Sequence, residues 1–118
     1  MIEIADLREW REHDVVDEDG KKIGTLESVY VDTATDEPSF ATVTVGVLSR
    51  RRLVFVPLDG TVAGPGYLKV AFPRGLVKDA PSIGTDDVLP AEDEPAVFAH
   101  YQLEYATGAA GERRLARR

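Results

Sequence analysis

Between Asp14 and Leu58 the chain alternates short apolar runs with tight polar turns, and that stretch limits the possible folds most sharply. Val15-Val16 leads into Asp19-Gly20, a pair suited to a type I′ hairpin turn, whose two central residues both need positive φ. The run from Ile23 to Asp32 does not alternate cleanly, because Ile23, Val29 and Val31 share one parity and Leu26 takes the other. A bulge between Gly24 and Ser28 reconciles them, and glycine is the residue type that tolerates one. Thr33 to Pro38 is a turn cluster. Ala41, Val43, Val45 and Val47 then alternate with Thr42, Thr44 and Gly46, which predicts a half-buried strand. After Ser49-Arg-Arg-Arg52, the run Leu53–Leu58 is apolar on both parities and suits a strand covered on both sides, with Pro57 at its end.

The remaining segments are shorter or less regular. A small strand is expected near Thr61–Ala63 and another from Tyr67 to Pro73, with Leu68, Val70 and Phe72 on one face. About five to six short strands turning this often favour a small β-barrel over a parallel α/β sheet. Leu7 and Trp10 lie three apart behind Asp6, which predicts a short N-terminal helix running to Glu12 and pinned to the barrel by Trp10. Arg74–Pro81 reads as one helical turn stopped by proline, and Ser82–Leu89 as an extended linker. A C-terminal helix is expected to begin between Pro90 and Pro95. Glu92, Asp93 and Glu94 suit its positive end, and Val97, Phe98 and Tyr101 form its apolar side.

Residues 106–118 begin Ala-Thr-Gly-Ala-Ala-Gly, a run with little surface to bury, and end with Arg113, Arg114, Arg117 and Arg118. They are expected to be a disordered basic tail whose removal keeps the melting temperature within about 2 °C. The chain then divides into a domain over 1–105, with its β core at about 13–73 and an extension at 74–105, followed by that tail. A length of 118 residues supports a single core of this size.

The net charge of −7 includes +3 from the last thirteen residues, so the body holds about ten net negative charges. Such a body repels phosphate, and the folded part is not expected to bind nucleic acid. No run is long and apolar enough for a transmembrane segment, and the acidic N-terminus is unlike a signal peptide. With no cysteine, thiolate metal sites and cysteine nucleophiles are excluded, and the expected location is cytoplasmic.

Chemistry is sparse. Asp17-Glu-Asp19 before Gly20 faintly resembles a calcium loop, but the position where an EF-hand needs its glutamate is Leu26. No metal site is expected there. His13 and His100 have no nucleophile motif beside them, and Gly64-Pro-Gly66 lacks the lysine partner of a phosphate loop. The expectation is therefore no enzyme, no catalytic residues and no cofactor.

The residues that carry a family resemblance are Asp-Gly-Lys-Lys-Ile-Gly (19–24), Val31-Asp32, Pro38 and Phe55-Val-Pro-Leu58, in that order. Together they resemble the PRC-barrel domain, a family that includes the cytoplasmic domain of the photosynthetic reaction centre H subunit. It also includes the C-terminal domain of a ribosome-maturation factor. Val77-Lys-Asp-Ala-Pro81 and His100-Tyr101 look like the extension of stand-alone bacterial members, so the likeness spans residues 8–103. It implies a small, strongly bent barrel that docks to other proteins and has no shared active site.

On that reading Arg50, Arg51, Arg52 and the exposed side of the helix bearing His100 are the candidate contact residues for a protein partner, or for a second copy in a homodimer. Two alternatives are a ligand or substrate pocket between barrel and C-terminal helix using His100 or Tyr101, and contact of the arginine tail with nucleic acid or an anionic membrane.

Overall fold

The computed structural model describes residues 9–108 and 111–118. Its strands are β1 (Asp14–Val16), β2 (Lys22–Asp32), β3 (Glu37–Val45), β4 (Arg52–Pro57), β5 (Val62–Gly64), β6 (Tyr67–Lys69), β7 (Ser82–Ile83) and β8 (Leu115–Arg117). Two short helices, α1 (Arg74–Lys78) and α2 (Glu94–His100), lie in the extension. The strands form one sheet in the order β5-β6-β1-β2-β3-β4-β7, with β8 also paired to β2. Neighbours are antiparallel except β1 and β6, which run parallel.

Two expectations are corrected here. The sheet is open, since β5 and β7 at its ends do not pair among the described residues, so it is not a closed barrel. It also holds eight strands where five to six were expected, because β7 and β8 are too short for any periodicity to reveal.

The bend of the sheet originates in β2. Its register against β3 slips at Glu27, and its register against β1 slips at Ile23. Each slip is a bulge, which adds local twist and moves later side chains to the opposite face. This is how Leu26 and Val29 both become buried despite their mismatched parity. Gly24 lies beside the bulge because β3 passes too close for a side chain: a Cβ there would sit 2.1 Å from the Thr44 carbonyl oxygen.

At the Glu27 bulge the hydroxyl of Thr42 stands in for lost ladder bonds. Thr42 Oγ1 accepts from the Ser28 N–H at 3.0 Å and lies 2.6 Å from Ser28 Oγ. Thr42 is thus fully buried, and β3 is covered on both faces rather than half-buried.

One face of β2–β4, including Tyr30, Phe40 and Phe55, is covered by α2 and its flanks. Phe98 and Tyr101 of that segment meet the ring of Phe40, and Tyr101 Oη donates to the Phe55 carbonyl. The opposite face, with Ala41, Val43, Val54 and Val56, is buried as well. β4 is therefore buried along nearly its whole length, as its doubly apolar sequence requires. Trp10 packs on the same core, partly buried. The N-terminal helix expected from Asp6 falls mostly outside the described residues, of which Glu9 and Trp10 are helical.

The hairpin turn at 17–20 differs from the expected type I′. Only Gly20 has positive φ, +81°, and Asp17 shapes the turn instead by accepting the N–H groups of Asp19 and Lys21.

The C-terminal tail is the largest correction. β8 pairs with Tyr30–Asp32, and Leu115 is fully buried. The anchor is Glu94, a fully buried carboxylate at the start of α2. It accepts from the Tyr105 hydroxyl at 2.7 Å and from the backbone N–H groups of Arg114 and Leu115, both at 2.9 Å. Arg114 adds an ion pair with Asp32 at 2.7 Å. The composition of this tail suggested disorder, but the free edge of β2 supplies the pairing that the tail's own side chains do not.

Candidate interaction surface

The β3–β4 hairpin carries the three arginines singled out in the sequence, and the structure separates them. Beyond β3 the chain turns through Gly46, whose φ is +90°; a side chain there would strike the Arg50 carbonyl. A single 3-10 turn, Leu48–Arg50, closes the tip, and the Arg50 N–H donates to the Val47 carbonyl at 3.0 Å. Leu48 holds φ at +53°, a left-handed conformation that costs a branched residue about 1 kcal/mol or more. Val47 is 71 % exposed and Leu48 84 % exposed, the two most exposed large apolar side chains among the described residues. Arg50 and Arg51 project beside them, exposed and without an ion pair among the described residues. The tip is thus an apolar pair next to two unneutralised cations.

Arg52 belongs to the fold instead. It is half-buried at the start of β4, and its guanidinium donates to the Lys78 carbonyl in the last turn of α1. His100 does a matching job, with Nε2 2.6 Å from the Leu76 carbonyl and its ring edge-on to Tyr101 at 4.9 Å. The last carbonyls of a short helix have no partner within it, and these two side chains supply one each. Of the four candidate contact residues, the structure therefore brings Arg50 and Arg51 together at an exposed tip. Arg52 and His100 it assigns to fastening α1.

The pocket imagined between sheet and C-terminal helix is filled by aromatic packing. Burial of Tyr101 pushes its hydroxyl well above the ordinary tyrosine range, and that hydroxyl is already committed to Phe55. A cleft of about 390 Å³ lies elsewhere, at the other end of the same hairpin. Glu37, Pro38 and Ser39 line it from the start of β3, and Leu58, Asp59, Gly60 and Thr61 from the turn after β4. Ser39 is the extra residue of a bulge opposite Tyr30–Val31. Its lining is more polar than apolar: Pro38 is half-buried and Leu58 buried beneath it, while Glu37 and Asp59 are exposed at its rim. Neither carboxylate has an ion pair among the described residues, whereas the adjacent Asp36 is held by Arg118 at 2.8 Å. Nothing in the spacing of Glu37 and Asp59 announces this cleft, because only the pairing of β3 with β4 makes them neighbours.

The sequence pattern of the PRC-barrel domain matches residues 3–77, which covers β1 to β6 and most of α1. The chain belongs to the PRC-barrel family. Within the PRC-barrel match lie both the Val47–Arg51 tip and the Glu37–Thr61 cleft, whereas α2 and β8 fall outside it. No curated protein matches the chain. No helix among the described residues is long and apolar enough to cross a membrane.

The tail arginines are largely occupied. Arg114 pairs with Asp32, Arg118 with Asp36, and Arg113 donates to the Leu89 carbonyl at 3.3 Å.

Proposed function

We propose that this PRC-barrel chain is a non-enzymatic protein–protein docking module, acting in the cytoplasm, whose contact surface is the tip of the β3–β4 hairpin. The observation that carries the reading is the juxtaposition of exposed Val47 and Leu48 with exposed Arg50 and Arg51, which have no ion pair among the described residues. Exposed apolar side chains at a strained loop position are costly in an isolated protein, and burying them against a partner offsets that cost. Arginine beside an apolar anchor is a frequent composition at the centre of protein interfaces. The two cations select an acidic partner surface, and the negative body discourages nucleic acid.

The test is co-purification from the native cells with tagged wild-type chain and with two tip variants, Leu48→Ser and the double variant Arg50→Glu/Arg51→Glu. A specific partner retained by wild type should be lost by both variants. Equal retention by all three proteins would exclude the tip as the contact surface. Arg50→Ala and Arg51→Ala should leave stability within about 0.5 kcal/mol, as expected for exposed side chains. That separates loss of binding from loss of fold.

A further inference from the structure

We propose that two copies of this chain pair through their β3–β4 hairpins, the Val47–Arg51 tip of each seated in the Glu37–Thr61 cleft of the other. The inference rests on the tip being the docking surface and names its occupant. Tip and cleft are complementary in charge. The tip offers two exposed apolar side chains and two guanidinium groups with no ion pair among the described residues. The cleft offers a lining more polar than apolar, with Pro38 as a half-buried apolar wall. Its rim bears the carboxylates of Glu37 and Asp59, which have no ion pair among the described residues.

Within one chain the two cannot meet. The cleft is built at the start of β3 and the tip follows its end, so the nine-residue strand Glu37–Val45 holds them apart. At about 3.3 Å per residue that separation is roughly 30 Å. That separation is comparable to the molecule's own extents of 38 × 31 × 25 Å.

Symmetry turns that separation into a closed arrangement. Two copies set with their β3–β4 axes antiparallel bring each exposed tip to the other's cleft, the buried strands between them making no contact, and a single two-fold axis relates the two contacts. One pairing therefore neutralises all four tip arginines with all four rim carboxylates and covers both pairs of exposed apolar side chains. An unrelated acidic partner would account for the tip alone and leave the cleft unexplained. The ion pairs at the rim act at close range, whereas the net charge of −7 on each copy repels the other at longer range, so salt screens both and charge reversal isolates the contact.

The experiment is sedimentation velocity on the full chain and on two charge reversals, Arg50→Glu/Arg51→Glu at the tip and Glu37→Lys/Asp59→Lys at the cleft. All four positions are exposed, and circular dichroism checks each fold. Wild type should be dimeric at high micromolar concentration. Each reversal alone should weaken pairing by about a hundredfold, since like charges then face each other. Mixed in equal amounts, the two reversed chains should re-form a dimer, because glutamate tips then meet lysine clefts and arginine tips meet acidic ones. Single reversals, Arg51→Glu and Asp59→Lys, repeat the test with a smaller perturbation.

A monomeric wild type, a dimer indifferent to both reversals, or no dimer on mixing would each overturn the proposal. A monomeric wild type that still captures another protein through its tip would do so while leaving the docking function standing.

Discussion

Thr42 occupies a position that strict alternation assigns to solvent, yet it is fully buried and its hydroxyl serves the backbone of Ser28. Replacing it with the near-isosteric valine removes an acceptor from a buried N–H without opening a cavity. We expect Thr42→Val to lower stability by about 1–3 kcal/mol, read as a lower urea midpoint with an unchanged m-value. Asp17 illustrates a different use of a polar residue. The Lys21 N–H, helped by that of Asp19, holds its carboxyl below the ordinary value of 3.8, against the opposing effect of burial. A depressed folded-state pKa contributes stability above the unfolded value, and that contribution fades as pH falls through the folded one. Asp17→Asn should therefore flatten the stability loss below about pH 4. An acid limb as steep as that of wild type would show that Asp17 does not drive it.

At the scale of elements, the decisive unit is the clamp of α2 on β8. Glu94 is buried and accepts three hydrogen bonds, two of them from the backbone of the incoming strand. Substituting Glu94→Ala leaves those N–H groups without an acceptor and removes the hold on Tyr105. We expect a loss of about 3 kcal/mol, hydrogen bonds to charged groups being the stronger kind. Hydrogen exchange should show the amides of Leu115 and Arg118 losing protection before those of β3 and β4. Protection equal to wild type at both amides would mean that pairing with β2 alone retains β8. Truncation after Tyr105, harmless if the tail were disordered, should now lower the melting temperature by several degrees, because it also exposes the edge of β2.

At the scale of the molecule, sheet, α2 and C-terminal strand share one core, with Trp10 packed on it from the N-terminal side. A core shared in this way predicts a single cooperative transition. Fluorescence of the sole tryptophan and far-ultraviolet circular dichroism should report the same urea midpoint. An earlier fluorescence transition would mean that the segment carrying Trp10 opens as a separate unit. Net charge acts at this scale too. The net negative charge disfavours anionic partners, while Arg50 and Arg51 at the hairpin tip place two exposed cations side by side.

Local information in the chain specified the three long strands, the bulge near Gly24–Ser28, the helix beginning between Pro90 and Pro95, and the exposed tip at Arg50–Arg51. Each depends on side-chain periodicity or turn chemistry within about ten residues, which a linear reading can detect. What the tertiary structure alone decided depends on contacts between residues far apart in sequence. Pairing of β3 with β4 makes Glu37 and Asp59 the rim of one cleft. Packing of α1 claims Arg52 and His100 for its last carbonyls. The edge of β2 and the carboxylate of Glu94 order a tail whose composition signals disorder. Backbone donors and acceptors carry no sequence signature, so a strand held chiefly by them is legible only once its partner edge is in place.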